Sequence, residues 1–141
     1  MKQIAFISLL ILIVVSSTSA QEKADINLSI QISGMKSDKG QLFVGIYNSK
    51  EDFLKKRYRE KRIDVVIKKA EIIFKNLPEE IYAVSIFHDE NDNKKMDKNF
   101  LGIPKERYGN SNGARVKVGP PKYEDAKFEL KKSKVIQIVV E

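Results

Sequence analysis

Cysteine and tryptophan are absent from the 141 residues, and histidine occurs once. Without cysteine the chain can form no disulfide framework, no lipidated cysteine and no thiolate metal site, and one imidazole cannot build a histidine-clustered zinc centre. Stability must come from packing or from a bound ion. A long apolar run is missing too. The longest, Ile4 to Val15, stops after twelve residues, whereas a spanning helix needs about 20.

That run follows Lys2 and precedes "SSTSA", the positive, apolar and small-residue order of a secretory leader. Cleavage is expected after Ala20, leaving residues 21–141 as one domain with no transmembrane anchor, in a secreted or periplasmic setting. The whole chain carries 26 basic and 19 acidic residues; losing Lys2 leaves 25 against 19, a net +6. Export argues against nucleic acid. The remaining charge favours anionic partners, such as an anionic envelope component, an acidic glycan or a peptide, although scattered lysines also serve solubility.

What is present is mainly alternation. In "DINLSIQIS" Ile26, Leu28, Ile30 and Ile32 share one face, the pattern of a half-buried strand. After the turn-rich "GMKSDKG", the run "QLFVGIY" alternates again, predicting a hairpin between the two, with Gly45 marking a bulge or close approach. "NSKEDFLKKRYREK" predicts one or two helical turns capped by Asn48 or Ser49, with a basic end from Lys55 to Arg62. Further strands are expected in "RIDVVIK", "AEIIFKN", "IYAVSIFHD", "ARVKV", "DAKFELK" and "KVIQIVV". Seven to eight short strands without a βαβ rhythm predict an all-β fold: one antiparallel β-sandwich, transthyretin-like or Ig-like, with a short helix and one long ordered loop.

The loop is residues 88–111, "HDENDNKKMDKNFLGIPKERYGNS". Oxygen side chains fall at Asp89, Asn91, Asn93 and Asp97, positions 1, 3, 5 and 9 of a calcium loop, with the backbone carbonyl of Lys95 at position 7. Lys94 stands where glycine normally makes the sharp turn, and Phe100 where a bidentate Glu is usual. Nearby lysines offset the negative charge, so any Ca2+ would be held weakly. The competing reading is an Asn/Asp-rich turn whose side chains cap their own backbone. His88, Glu106, Tyr108 and Ser111 are further candidate binding residues on the same segment. His88 shares strand parity with Tyr82, Val84 and Ile86, which places it at the rim of the core, and no nucleophile elbow surrounds a serine.

The composite of Leu77 and Pro78, Tyr82 and Ala83, "HDEN" with Asn93 and Asp97, then "GIP", Glu106, Tyr108, Gly109 and Ser111 resembles secreted bacterial domain-of-unknown-function family 2141. The chain departs from that pattern at Glu79 and Glu80, at Lys94 and Arg107 where glycine is usual, at Met96 and at Asn110. The layout is also similar to transthyretin-like and carboxypeptidase-regulatory-like sandwiches. The resemblance implies a fold and no particular activity. Three readings follow. The leading one is an exported non-catalytic binding or accessory module with a weak calcium loop at 89–97. The alternatives are a small hydrolase using His88 with Asp89 or Glu106, and an envelope-binding protein acting through the basic helix.

Overall fold

The computed structural model describes residues 25–141, so the expected leader at 1–20 lies outside the described residues. In chain order the elements are β1 (Ile26–Ser33), β2 (Gln41–Tyr47), β3 (Arg59–Asp64), β4 (Lys69–Leu77), β5 (Glu80–Asp89), β6 (Tyr108–Asn110), α1 (Tyr123–Ala126), β7 (Phe128–Leu130) and β8 (Lys134–Val139). They form an all-β sandwich. One sheet has the order β4-β1-β8; the other has the order β3-β2-β5-β6, with β7 also pairing β5.

The alternating residues dictate how the layers face. Ile26, Leu28, Ile30 and Ile32 of β1 are buried against Leu42, Val44 and Ile46 of β2 and Tyr82, Val84 and Ile86 of β5. Each fully buried aliphatic side chain contributes about 1.5–3 kcal/mol relative to exposure, so this one cluster carries most of the fold. It also corrects the expected hairpin. β1 and β2 never pair, because their apolar faces lie opposite one another across the core, and residues 34–40 carry the chain from one sheet to the other. The sandwich is not wholly antiparallel either: β8 runs parallel to β1, with Ile30 opposite Ile136.

Three further expectations change. Residues 50–55 form hydrogen-bonded turns, not a helix. Ser49 Oγ does accept the Asp52 N–H at 3.2 Å, as a cap would, but Leu54 turns left-handed (φ 61°) and ends the coil. The basic run then enters β3, so no basic helix exists there. Arg59 donates to the Lys75 carbonyl at 2.8 Å and Lys61 to the Ile73 carbonyl, both on the open edge of β4. Its charges tie one sheet to the other and blunt two exposed edges. Finally, "ARVKV" is not a strand, since "GPP" follows it and nothing pairs with it; the short helix lies instead at Tyr123–Ala126.

Both faces of β5 are covered, unlike those of a half-solvated strand. Its outer face carries a second buried cluster, in which Tyr47, Phe53, Ala83, Ala114 and Ala126 pack with Tyr123. The remainder of that face floors the site described next.

Candidate functional site

Strand β5 ends at Asp89, and the chain rejoins the sheet only at Tyr108. Asp89 is fully buried, and its carboxylate turns back onto the loop. Oδ1 accepts the Asn93 N–H at 3.2 Å and Oδ2 the Lys94 N–H at 2.7 Å. A carboxylate at the first position of a loop gathering amides from the fifth and sixth is what closes the turn. Lys94 accordingly takes the left-handed conformation (φ 65°) that glycine would adopt freely, at about 1–2 kcal/mol for a residue bearing Cβ. Beneath the turn, a Cβ on Gly40 would stand 1.8 Å from the Asp89 carbonyl oxygen, so only glycine lets this backbone approach.

The alternate oxygens do converge, and they are already employed. Asn91 and Asn93 donate their amide groups to Asp97 at 2.7 and 2.8 Å, while their own Oδ1 atoms accept the N–H groups of Asn93 and Lys95 at 3.2 and 2.9 Å. The two asparagine amides hold the Asp97 carboxyl below the usual carboxylate range, with Lys105 and Lys95 adding to the effect. This is the self-capping turn of the competing reading. Glu106 completes the node: Oε2 accepts the Asp97 N–H at 3.1 Å, and buried Oε1 has no hydrogen-bond partner. Desolvation raises the Glu106 pKa, and the neighbouring charges of Asp89 and Asp97 push the same way. Among the described residues no three His, Cys, Asp or Glu side chains are grouped to hold a metal ion. A cation here would therefore rest on amide and backbone oxygens together with carboxylates, as calcium accepts and zinc does not.

The other candidates separate. His88 is fully enclosed: Nε2 donates to the Lys39 carbonyl at 2.7 Å, and Nδ1 lies 3.5 Å from Glu90 Oε1, a bond it can make only when protonated. Ser111 is a buried tie, with Oγ accepting the Val84 N–H at 2.9 Å and donating to the Ala126 carbonyl at 2.6 Å. Arg107 reaches the Gly34 carbonyl at 2.8 Å and so fastens the returning loop to the turn after β1. Tyr108 alone opens on a cleft.

That cleft, about 780 Å³, lies on the outer face of the five-stranded sheet between the stretches 94–104 and 116–121. Its floor holds Phe43, Phe87 and Tyr108, successive register partners on three strands, and Arg62 continues the same row on β3 beyond the cleft. Phe43 and Phe87 stack at 4.8 Å, with the Arg62 guanidinium over Phe43 at 4.6 Å and Arg115 over Tyr108 at 5.4 Å. In the next row Gly45 lacks a side chain, and Arg57 lies across it, its Cδ only 2.9 Å from where a Cβ would stand. Buried Asn110 there donates to the Ala114 carbonyl and leaves Oδ1 unpaired. Phe43, Phe87, Asn110 and Arg115 were not singled out from sequence as site residues, whereas Arg57 and Arg62 were expected on a basic helix. The available signal was β5 itself, whose odd positions Ala83, Ser85 and Phe87 carry no charge and so mark a covered second face.

No curated protein and no solved structure matches the chain. The family described as an uncharacterized protein conserved in bacteria matches residues 30–137, from the middle of β1 into β8 and including the whole loop, and the chain belongs to that domain-of-unknown-function family, number 2141.

Proposed function

We propose that the chain is an exported, non-catalytic binding or accessory module whose interaction surface is the segment 88–111, and that the 89–97 turn takes a weakly held calcium ion. The observation that carries the metal part is Glu106. A buried carboxylate oxygen with no donor in full hydrogen-bonding geometry, the Glu90 N–H lying only near enough to lower the Glu106 pKa somewhat, costs free energy beside two further carboxylates that a hard cation would recover. Asp89, Asp97 and Glu106, not grouped to hold a metal ion as they stand, would close on it and supply their spare lone pairs, with Lys95 giving its carbonyl and Asn91 and Asn93 their amide oxygens after turning from Asp97. That rearrangement, and the strain at Lys94, set the affinity low, on the order of the millimolar range of extracellular modules.

The test is thermal unfolding of the chain from Gln21 onward in chelator and in calcium. With Kd of about 1 mM, 10 mM calcium stabilises by about 1.4 kcal/mol, roughly 5 °C for a domain of this size. An unchanged midpoint at 10 mM removes the metal site and leaves the self-capped turn. The hydrolase alternative has less support, since His88 is sealed and lines neither this cleft nor the shallow one between the two sheet edges. The basic-helix alternative loses its element, because Arg59–Asp64 is a strand.

A further inference from the structure

Four apolar side chains protrude next to the cleft: Phe100 is 94% exposed, Val118 91%, Leu101 67% and Ile103 55%. Scattered exposed aliphatics are ordinary, whereas a group at the tips of two facing loops is not. Leu101, Ile103 and Val118 all line the cleft, and Phe100 adjoins Leu101. Nor is the first loop slack. Asn99 Oδ1 accepts the N–H groups of both Leu101 and Ile103 at 2.9 and 3.0 Å, and Asn99 N–H donates to the Ile103 carbonyl at 2.9 Å. Lys105 N–H reaches the Asp97 carbonyl at 2.8 Å, and Lys98 bridges Pro104, so residues 97–105 make a small hairpin that holds its apolar tip in water.

The charged side chains that line the cleft have one sign, although Asp97 opens the hairpin and Arg57 pairs with Glu60 at 3.1 Å. Lys94, Lys95, Lys98, Lys117 and Arg57 line the cleft, and no acidic side chain does. None of the four lysines is within ion-pairing distance of a carboxylate among the described residues, although Lys95 lies near enough to Asp97 to lower its pKa. Apolar tips inside a lysine ring match the interface of an anionic bilayer, where hydrocarbon accepts the tips and headgroups pair with the lysines.

We propose that this end of the sandwich docks on an anionic lipid bilayer, with Phe100, Leu101 and Val118 entering the headgroup boundary and Lys94, Lys98 and Lys117 resting on lipid phosphates. The proposal rests on the reading of 88–111 as the interaction surface and names its partner; it does not require calcium. The surface is the loop end of the molecule, not the basic strand.

Flotation of the chain from Gln21 onward with phosphatidylglycerol-containing vesicles tests it, in chelator and at about 0.1 M salt. The wild-type chain binds these vesicles and not pure phosphatidylcholine. Replacing Lys98 or Lys117 by Gln weakens binding on the order of fivefold each, and the triple variant F100S/L101S/V118S loses tenfold or more. All these positions are exposed, so the variants keep the core; an unchanged melting temperature checks this. Because the chain has no tryptophan, F100W supplies a single reporter whose emission shifts to the blue on the anionic vesicles. Absent wild-type binding overturns the proposal. So does binding that the triple serine variant retains, which would reveal adsorption by dispersed lysines, and so does an unshifted F100W spectrum. A protein without a calcium response that still floats loses the metal site and keeps the docking surface; the reverse result does the opposite.

Discussion

Asp89 is the residue on which the loop depends. It is fully buried yet spends its carboxylate on two backbone N–H groups: the Asn93 N–H, which it shares with Asn91 Oδ1, and the Lys94 N–H, which has no other partner inside the turn. Asp89→Ala should therefore destabilise the domain by about 2 kcal/mol, since a hydrogen bond to a carboxylate is worth about 1.5–3 kcal/mol and the Lys94 amide would be stranded. Chemical denaturation measures this; a loss under about 1 kcal/mol would mean the turn stands without its carboxylate. Glu106 behaves oppositely. Its folded pKa is raised, so between the ordinary glutamate value and the raised one the folded chain binds more protons than the unfolded chain. Stability conferred by that proton is gained as pH falls through the window and is absent at neutral pH. Asp97, with its pKa lowered, contributes at neutral pH and loses its contribution as acid is added through its depressed value. Glu106→Gln keeps an acceptor for the Asp97 N–H and places a donor among the carboxylates. In chelator at neutral pH it should melt higher than wild type and should lose the calcium increment.

Among the elements, β5 organises both the core and the site. Its even positions feed the main cluster and its odd positions floor the cleft, while β7 and β6 share its far edge, pairing Glu80 to Tyr82 and Ser85 to Phe87 respectively. Ser111 joins this edge to α1, so Ser111→Ala should cost about 1–3 kcal/mol by leaving the Val84 N–H buried without a partner. Hydrogen exchange at Val84 is the readout; unchanged protection would contradict the role given to Ser111. At this scale the strands were legible in the sequence wherever alternation met a buried face, as in β1, β2 and β5. The alternation of Ile26 to Ile32 reports which face is apolar but not which strand lies alongside, so the crossover at 34–40 read as a hairpin. Helix signals at 48–61 were real locally, since the Ser49 cap forms, but pairing of β3 with β2 along six residues outweighed them. "ARVKV" has strand composition and no edge to join.

The molecule as a whole places a reinforced turn, a small apolar hairpin and an aromatic-floored cleft at one end of a sandwich. The spacing of Asp89, Asn91, Asn93 and Asp97 was readable as a motif, and the structure does bring those residues together. Glu106 was visible only as a candidate, because no pattern in a single chain says that residue 106 returns to meet residue 97. The cleft was invisible for the same reason, being assembled from β2, β5, β6 and three separate loop stretches. The central claim is that a cation can occupy the node formed by 89–97 and Glu106. A calcium titration followed by amide and carboxyl NMR shifts tests it most directly. Saturable shifts confined to residues 89–97 and 106, with a midpoint on the order of 1 mM, are expected. Shifts spread over surface carboxylates, or none at the amides of Asn93, Lys94 and Asp97, would contradict it.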